Sequence, residues 1–422
     1  VDVTIRDSTL RSVNAVSGVR AIDIVVQSST GVLNFNIRNV DAQNNLFGGL
    51  NAVHSTFTGT VTYTIVDSTF SGAASGNGML FQFTSTSSAA FRFDFQNVTS
   101  ENSSQTGITF RFESSGWNQG SISMSQMMLS NNTLDGLYFF LSNSRITADI
   151  SIQDATMFND GRNGLFFDTT LAARSNITVT LDRVTLTWAR TGRGLALNMQ
   201  RSNYNFSISA TDTVMDRNAQ DGFYFYHYNT DTSKGNQRGD QVFNFTRVSM
   251  SNNRIGMQIY TYNTNENVSG WWTDVNINNN TQQGLYGYAY LFYNYFRNPG
   301  SPVTYGPGER NITIRGDRVS ISRNGGDGIY AYDNYAYGYF TYACNPVCNY
   351  YQYSISTLWE LDFNNSHIDG NGGKGVYWYG NYGFYSAMIW HLTMRNSTVN
   401  DNAASGLYAY GYYLYSYAWL FQ

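Results

Sequence analysis

Three aspartates, Asp135, Asp221 and Asp327, each stand directly before a glycine in a similar setting. Carboxylates at matched positions are raw material for acid–base work, because a positioned pair can split its protonation states between donor and acceptor. An aspartate before a glycine also makes a tight turn by bonding to its own backbone, and that is the simpler reading of this row. The four histidines, His54, His227, His367 and His391, are scattered, and none is spaced to pair with an acid. Cys344 and Cys348, the only two cysteines, lie in Cys-Asn-Pro-Val-Cys. Two thiols fall short of the four ligands of a structural zinc site. Closing a tight loop around a Pro turn suits a disulfide, which implies an oxidising compartment. No phosphate-binding loop, metal motif or nucleophile elbow occurs. The expectation is therefore no catalytic residues, no metal and no cofactor.

The glycine after Asp221 belongs to a series that organises the whole chain. It recurs as Gly18, Gly49, Gly78, Gly107, Gly136, Gly164, Gly194, Gly222, Gly256, Gly284, Gly328, Gly375 and Gly406, and the first six intervals run from 28 to 31 residues. Self-similarity at such a period marks a solenoid or array. The residue after each glycine is apolar in all thirteen copies, from Val19 and Leu50 to Val376 and Leu407. The residue two further on is apolar or small, as in Phe81, Phe110, Phe139 and Phe167. Alternation at period two predicts a strand with one buried face. Each repeat holds two more strand-like pieces, such as Ile177-Thr178-Val179-Thr180-Leu181 followed by Val184-Thr185-Leu186. Between them stands an Asn or Asp in eleven repeats: Asp7, Asn39, Asp67, Asn97, Asp154, Asp182, Asp212, Asp274, Asp317, Asn365 and Asn396. These residues tolerate left-handed backbone, which predicts a corner there. A second asparagine cluster precedes the glycine by four or five residues, at Asn102, Asn131, Asn218, Asn252, Asn279, Asn324, Asn371 and Asn402.

Three short strands and three corners in about 29 residues predict an all-β fold, a single-stranded parallel β-helix of about 13 coils. The recurring Asn-Asn-x-x-x-Gly-Leu-Tyr phrase resembles the repeats of right-handed parallel β-helix proteins, the pectate-lyase-like superfamily. The resemblance covers Ser17 to the C-terminus and bears on fold, since one fold hosts many functions. Enzymes of that family cut or remodel acidic polysaccharides on an outward face. Their lyases use clustered acids with calcium and an arginine base, and their glycosidases use paired carboxylates. Only Asp23 and Asp168 stand as outward acids on the glycine-led strand, each isolated. Asn229-Thr230-Asp231 matches one short polygalacturonase motif, but the Asp-Asp, Gly-His-Gly and Arg-Ile-Lys motifs that accompany it are missing.

Composition narrows the class further. Charged residues are 13% of the 422 and the net charge is −4, without the basic stripe that nucleic acid demands. No apolar run is long enough to form a transmembrane segment. The solenoid reading makes 1–422 one domain, with insertions at about 227–243, 291–310 and 333–355, where the glycine spacing stretches to 34, 44 and 47 residues. Insertions side by side on one face of a solenoid mark its working face.

Tyrosine marks the same region, because 30 of the 33 tyrosines follow residue 221. Two positions past the repeat glycine stand Tyr224, Gln258, Tyr286, Tyr330, Tyr377 and Tyr408; four positions past it stand Tyr226, Tyr260, Tyr288, Tyr332, Tyr379 and Tyr410. Both columns are expected to face outward as an aromatic sheet, apolar in area and polar at the tip. Glycosylation sequons stand at Asn97, Asn102, Asn131, Asn176, Asn205, Asn244, Asn267, Asn279, Asn311, Asn364 and Asn396. Both chain ends read as strands in mid-coil, so end stacking of copies or further chain is expected there. The resulting expectation is a secreted or cell-surface, non-enzymatic structural glycoprotein. Its partners would be copies of itself, head to tail or lateral, in a filament or surface layer. The alternative is a polysaccharide-binding or polysaccharide-degrading protein using the same face.

Overall fold

The computed structural model describes residues 1–11, 20–86, 88–170, 173–200, 203–228, 239–262, 266–291, 308–337, 340–344, 348–352, 355–384, 386–411 and 414–415. Its secondary structure is all β. The fold is a parallel β-helix, as the repeat predicts. The chain groups into two compact units, Val1–Tyr224 with Thr246–Arg254, and Phe225–Phe245 with Ile255–Gln422. Each is itself a stack of coils.

In the first unit one sheet is made of the glycine-led strands. Ile22–Gln27, Leu50–Ser55, Met79–Thr84, Ile108–Glu113, Leu137–Ser142, Leu165–Thr170 and Leu195–Gln200 follow one another in parallel. The facing sheet runs Asp2–Arg11, Thr30–Gln43, Thr58–Ser71, Ala90–Glu101, Trp117–Ser130, Arg145–Phe158, Ala173–Thr187 and Asn203–Thr211. Its strands are long because each of those up to Ala173–Thr187 carries both expected strand-like pieces. The chain bends between the two pieces without leaving the ladder. The expected third strand is thus the far arm of a bent strand, and it dwindles to single bridges at Val214, where Thr185 and Ser249 are its partners.

The bend has the left-handed backbone that the Asn/Asp column predicts. Asp7, Asn39, Asp67, Asn97, Asp154 and Asp212 have φ between 49° and 52°. Asp182 does not carry the bend; Arg183, one residue on, does, with φ 54°. Gln126 and Arg247 hold it in coils that lack the motif. The arginines manage this conformation by reaching back to the aspartate at the same corner of the preceding coil. Arg183 Nε and Nη2 lie 2.6 and 3.0 Å from Asp154, and Arg247 does the same to Asp212 at 2.6 and 2.7 Å. Asn39 donates to Asp7 and Asn97 to Asp67. The corner ladder is therefore built two coils at a time, an acceptor and then a donor. Exposed pairs of this kind add little stability; they fix which coil sits on which.

The repeat glycines from Gly49 onward have ordinary φ, so freedom of the backbone is not their reason. A Cβ on Gly107 would lie 2.7 Å from the carbonyl oxygen of Gly136, and one on Gly136 would lie 2.8 Å from that of Gly164. Glycine is needed because consecutive coils touch backbone to backbone. The interior is then filled by identical positions stacking. Phe81, Phe110, Phe139 and Phe167 form one column with ring centroids 5.2, 5.1 and 4.6 Å apart, each pair near parallel. Stacked rings contribute about 0.5–1.5 kcal/mol per pair beyond the burial itself.

The second unit repeats this plan. Its glycine-led strands are Ile255–Tyr262, Leu285–Leu291, Ile329–Tyr337, Val376–Phe384 and Leu407–Gly411, all parallel. Its facing strands include Glu266–Thr273, Gly308–Asp317, Ile355–Asn364 and Ser386–Arg395. Asp274, Asn365 and Asn396 take the left-handed corner, and Arg318 takes it in place of the expected Asp317, again clamping the aspartate of the coil before. The insertions expected at about 227–243, 291–310 and 333–355 lie in part outside the described residues, at 229–238, 292–307, 338–339, 345–347 and 353–354. Within the third, Phe340–Cys344 and Cys348–Gln352 pair as an antiparallel hairpin.

The second asparagine cluster resolves into two columns. Asn102, Asn131, Asn252 and Asn279 carry another left-handed corner. Their neighbours, one residue on, turn inward. Asn280, Asn324, Asn371 and Asn402 form a ladder in which each Oδ1 accepts both the backbone N–H and the side-chain amide of the previous member, at 2.9–3.1 Å. Each Nδ2 of the last three donates as well to a backbone carbonyl, of Ile277, Ile321 and Ile368 respectively. In the first unit Asn132 finds Asp160 in the next slot. Oδ1 of Asp160 accepts from the Asn132 backbone N–H and amide at 3.1 and 3.0 Å, but Oδ2 has no partner. Burial pushes this carboxyl up to about 8. A neutral acid there can donate a proton as asparagine's amide does, whereas the anion cannot.

The sign of the pH effect follows. The folded chain holds the Asp160 proton more tightly than the unfolded chain, so this group's contribution to stability is complete below about pH 4 and is lost as pH rises to about 8. The loss approaches about 1.4 kcal/mol per pH unit inside that window. Chemical denaturation of Asp160→Asn should give a variant more stable than wild type at pH 8 and no more stable at pH 4. Parallel stability profiles of the two chains across this range would contradict the assignment.

Candidate functional site

The second unit presents a sheet face built almost wholly from tyrosine. Strand neighbours in a parallel sheet lie about 4.8 Å apart, so equal positions in successive coils meet ring to ring. Tyr226, Tyr260, Tyr288, Tyr332, Tyr379 and Tyr410 form one column with centroids 5.0, 4.4, 5.2, 5.0 and 5.5 Å apart. Tyr286, Tyr330, Tyr377 and Tyr408 form a second at 5.3, 5.0 and 5.3 Å, with Gln258 in register at its head. The sequence pattern predicts both columns and their outward direction. A third column was not anticipated: Tyr228, Tyr262 and Tyr290, at 4.8 and 4.5 Å. Its backbone register continues to Tyr335 and Tyr382. The signal was a tyrosine six positions past the glycine, where the strand had been expected to end.

These rings are half-buried, and Tyr408 and Tyr410 are each 40% exposed. Their faces are largely taken by one another. Tyr260 and Tyr288 are tilted by only 8°, as are Tyr262 and Tyr290. Where the second column turns edge-on, at Tyr330 and Tyr377, the Lys374 ammonium sits 3.8 Å from the Tyr377 ring centre. That is a cation–π position. Two asparagines tie the hydroxyls. Tyr332 donates to Asn334 Oδ1 at 2.9 Å, and Asn334 Nδ2 donates to the Tyr288 oxygen at 2.6 Å. Asn381 Nδ2 donates to Asn334 Oδ1 at 2.9 Å and to the Tyr332 oxygen at 3.3 Å.

Beneath this face lies a buried polar cluster that the sequence did not reveal. Asp333 accepts the indole N–H of Trp359 at 3.2 Å and of Trp390 at 3.0 Å, and burial raises its carboxyl above the usual range. Gly287 makes room for it, since a Cβ there would lie 2.2 Å from the Trp359 ring. The two indoles thus brace the sheet from inside.

The remaining candidate residues separate. Asp135 is buried and accepts from Arg162 Nε at 2.9 Å and from the backbone and amide of Asn163. Asp221 is held by Arg193 and Arg254, and Asp327 accepts the Lys374 backbone N–H at 2.6 Å. The row ties neighbouring coils together through ion pairs and backbone bonds, where the simpler reading had each aspartate bonding to its own local chain. Arg193 also lies 3.7 Å over the ring of Tyr224 in the first unit. Asp168 accepts from Tyr138 and Asn198, and Asp23 from Asn51. His54 is buried against Tyr63 and lowered by burial to about 4, so it stays neutral. His227 is buried, His367 is exposed and bonds Thr398, and His391 is half-buried on a facing strand. Among the described residues no group of three His, Cys, Asp or Glu is placed to hold a metal. Among them no helix is long and apolar enough to cross a membrane.

Asn229-Thr230-Asp231 lies outside the described residues. Cys344 and Cys348 are direct cross-strand partners in the hairpin. All eleven sequon asparagines are exposed or half-buried: Asn97, Asn102, Asn131, Asn176, Asn205, Asn279 and Asn396 exposed, Asn244, Asn267, Asn311 and Asn364 half-buried. Asn176 and Asn205 are register partners, as are Asn267 and Asn311.

The stacked phenols resist ionisation. Burial, then the neighbouring phenols of Tyr288 and Tyr332, push Tyr286 up to about 12. Tyr260 and Tyr330 go higher still for the same two reasons. The folded chain therefore keeps these protons where the unfolded chain loses them near pH 10, and stability falls as pH rises through that window. An ultraviolet titration should show a late class of tyrosines that merges with the ordinary class on unfolding. A single class near pH 10 in the folded protein would contradict the stacked columns.

No family model matches the chain, and no curated protein matches it. Among solved structures, it is similar to the A-module of the mannuronan C-5 epimerase AlgE6 of Azotobacter vinelandii, at 10% identity and a TM-score of 0.23, over 89% of this chain and 91% of that one.

Proposed function

We propose that this chain is an extracellular structural glycoprotein whose tyrosine-rich sheet face packs against further copies of itself, in a filament or surface layer. The observation that carries this reading is how the tyrosines spend their surfaces. A sugar ring stacks on an open aromatic face, but here successive rings and Lys374 cover most faces. What remains outward is a regular array of half-buried rings and hydroxyls near the strand spacing, stacked in part of each column and edge-to-face at Tyr288–Tyr332, Tyr330–Tyr377 and Tyr377–Tyr408. A regular face of that kind suits another regular face, and half-buried aromatic surface gains from being covered. Sequons at exposed or half-buried positions and two cysteines at paired backbone positions of a hairpin support secretion.

The test is assembly of purified chain, followed by sedimentation and electron microscopy, with circular dichroism as the folding control. Tyr286→Ser, Tyr330→Ser and Tyr377→Ser together should abolish assembly while the β signal persists. Tyr→Phe at the same positions should keep it. Unchanged assembly of the serine variant would remove the face from this role, and tight binding to a polysaccharide array by a chain that never assembles would replace the reading with the sugar-binding one.

A further inference from the structure

The tyrosine columns are more than a surface; they hold phenols in contact that solution chemistry must bring together by diffusion. Tyr226, Tyr260 and Tyr288 are spaced 5.0 and 4.4 Å centre to centre, and Tyr228, Tyr262 and Tyr290 lie 4.8 and 4.5 Å apart beside them. The rings are half-buried, and the edge of each carries the two carbons ortho to the hydroxyl. Those are the carbons at which phenoxyl radicals couple. We propose that these columns are a site of oxidative tyrosine–tyrosine coupling, in which a peroxide-driven haem peroxidase bolts successive coils of one chain together. This rests on the column geometry and not on the assembly reading.

The step balances as follows. The peroxidase removes one electron and one proton from each of two phenols, and hydrogen peroxide takes up both electrons and both protons to become two waters. The two phenoxyl radicals join through their ortho carbons. Each ring's displaced ortho hydrogen then moves to its own oxygen, so both hydroxyls are restored. Stacked rings must first swing about their Cα–Cβ bonds until the ortho carbons meet edge to edge, and their half-exposed position leaves the solvent side open for that movement. Before that swing, a radical on one ring can pass to its neighbour by exchange of an electron and a proton, Tyr260 and Tyr288 trading places without net chemistry. Burial and like neighbours keep the Tyr260 and Tyr262 phenols protonated, so there the proton must leave together with the electron. Holding the partners in contact replaces a bimolecular encounter by an intramolecular one, which is the largest rate advantage such a reaction can have. The product closes a covalent loop of one coil and restrains the unfolded chain, as a disulfide does.

The experiment treats dilute, fully folded chain with a haem peroxidase and hydrogen peroxide. It reads blue dityrosine fluorescence, denaturing electrophoresis, and linked peptides by mass spectrometry. The expected result is dityrosine on chains that still run as monomers, at a yield per chain unchanged by dilution. Links should join Tyr226, Tyr260 and Tyr288, or Tyr228, Tyr262 and Tyr290, and the thermal midpoint should rise. The double variant Tyr260→Phe with Tyr262→Phe keeps the stacked rings but removes the central phenols, and should lose most of the signal while remaining folded by circular dichroism. Dityrosine whose yield falls on dilution, links at tyrosines outside the columns, or no coupling under conditions that couple free tyrosine would each overturn the proposal. A chain that couples within itself but never assembles upholds this inference and fails the assembly reading.

Discussion

Close contact between one coil's backbone and the next is the constraint on which this structure depends. At Gly107 and Gly136 there is no room for even a methyl group before the following coil's carbonyl oxygen. That contact holds successive strands at hydrogen-bonding distance and in one register. Whatever residue type a position carries is then set above its own copies. Phenylalanine becomes a column of rings inside, asparagine a hydrogen-bonded rail beside it, aspartate and arginine a clamp at the corner, and tyrosine a stack outside. Each is the same geometric fact expressed by different side chains.

The polar columns show that register is specified as well as permitted. A hydrophobic column alone tolerates slippage, since one apolar ring stacks on another almost anywhere. The asparagine rail of Asn280, Asn324, Asn371 and Asn402 does not, because each amide must meet the Oδ1 and the carbonyl of a fixed neighbour. A half-satisfied polar ladder would cost more than it gives. Asp160 is the exception, a carboxyl in the slot that burial pushes up to about 8. The corner clamps add a second level: Asp154 with Arg183, Asp212 with Arg247 and Asp274 with Arg318 pair coils in twos.

Much of this was legible in the sequence because a repeat writes each rule many times. The glycine period gave the coil, and the alternation after it gave the inward and outward faces, including the outward direction of Tyr286, Tyr330 and Tyr377. Single positions were read less well. Asp182 and Asp317 looked like corner residues, yet Arg183 and Arg318 take the left-handed conformation, because a clamp from the neighbouring coil outweighs local preference. The two arms meeting at the corner were expected as separate strands, but the bend leaves hydrogen bonding to the next coil unbroken. The third tyrosine column and the Asp333–Trp359–Trp390 brace were hidden for another reason. The column stands six positions past the glycine, beyond where the strand was expected to end, and the brace rests on side chains that meet across coils of unequal length.

The functional account follows from how the outer columns use their surface. Rings packed face to face in part of each column and edge to face elsewhere leave a regular array of half-buried aromatic surface and hydroxyls, which is a surface for matching another surface. The most direct measurement is electron cryomicroscopy of the native material. The account predicts ordered assemblies in which the face bearing Tyr286, Tyr330 and Tyr377 is buried at the contact between copies. Dispersed particles with that face bare to solvent, or assemblies joined through any other surface, would contradict it.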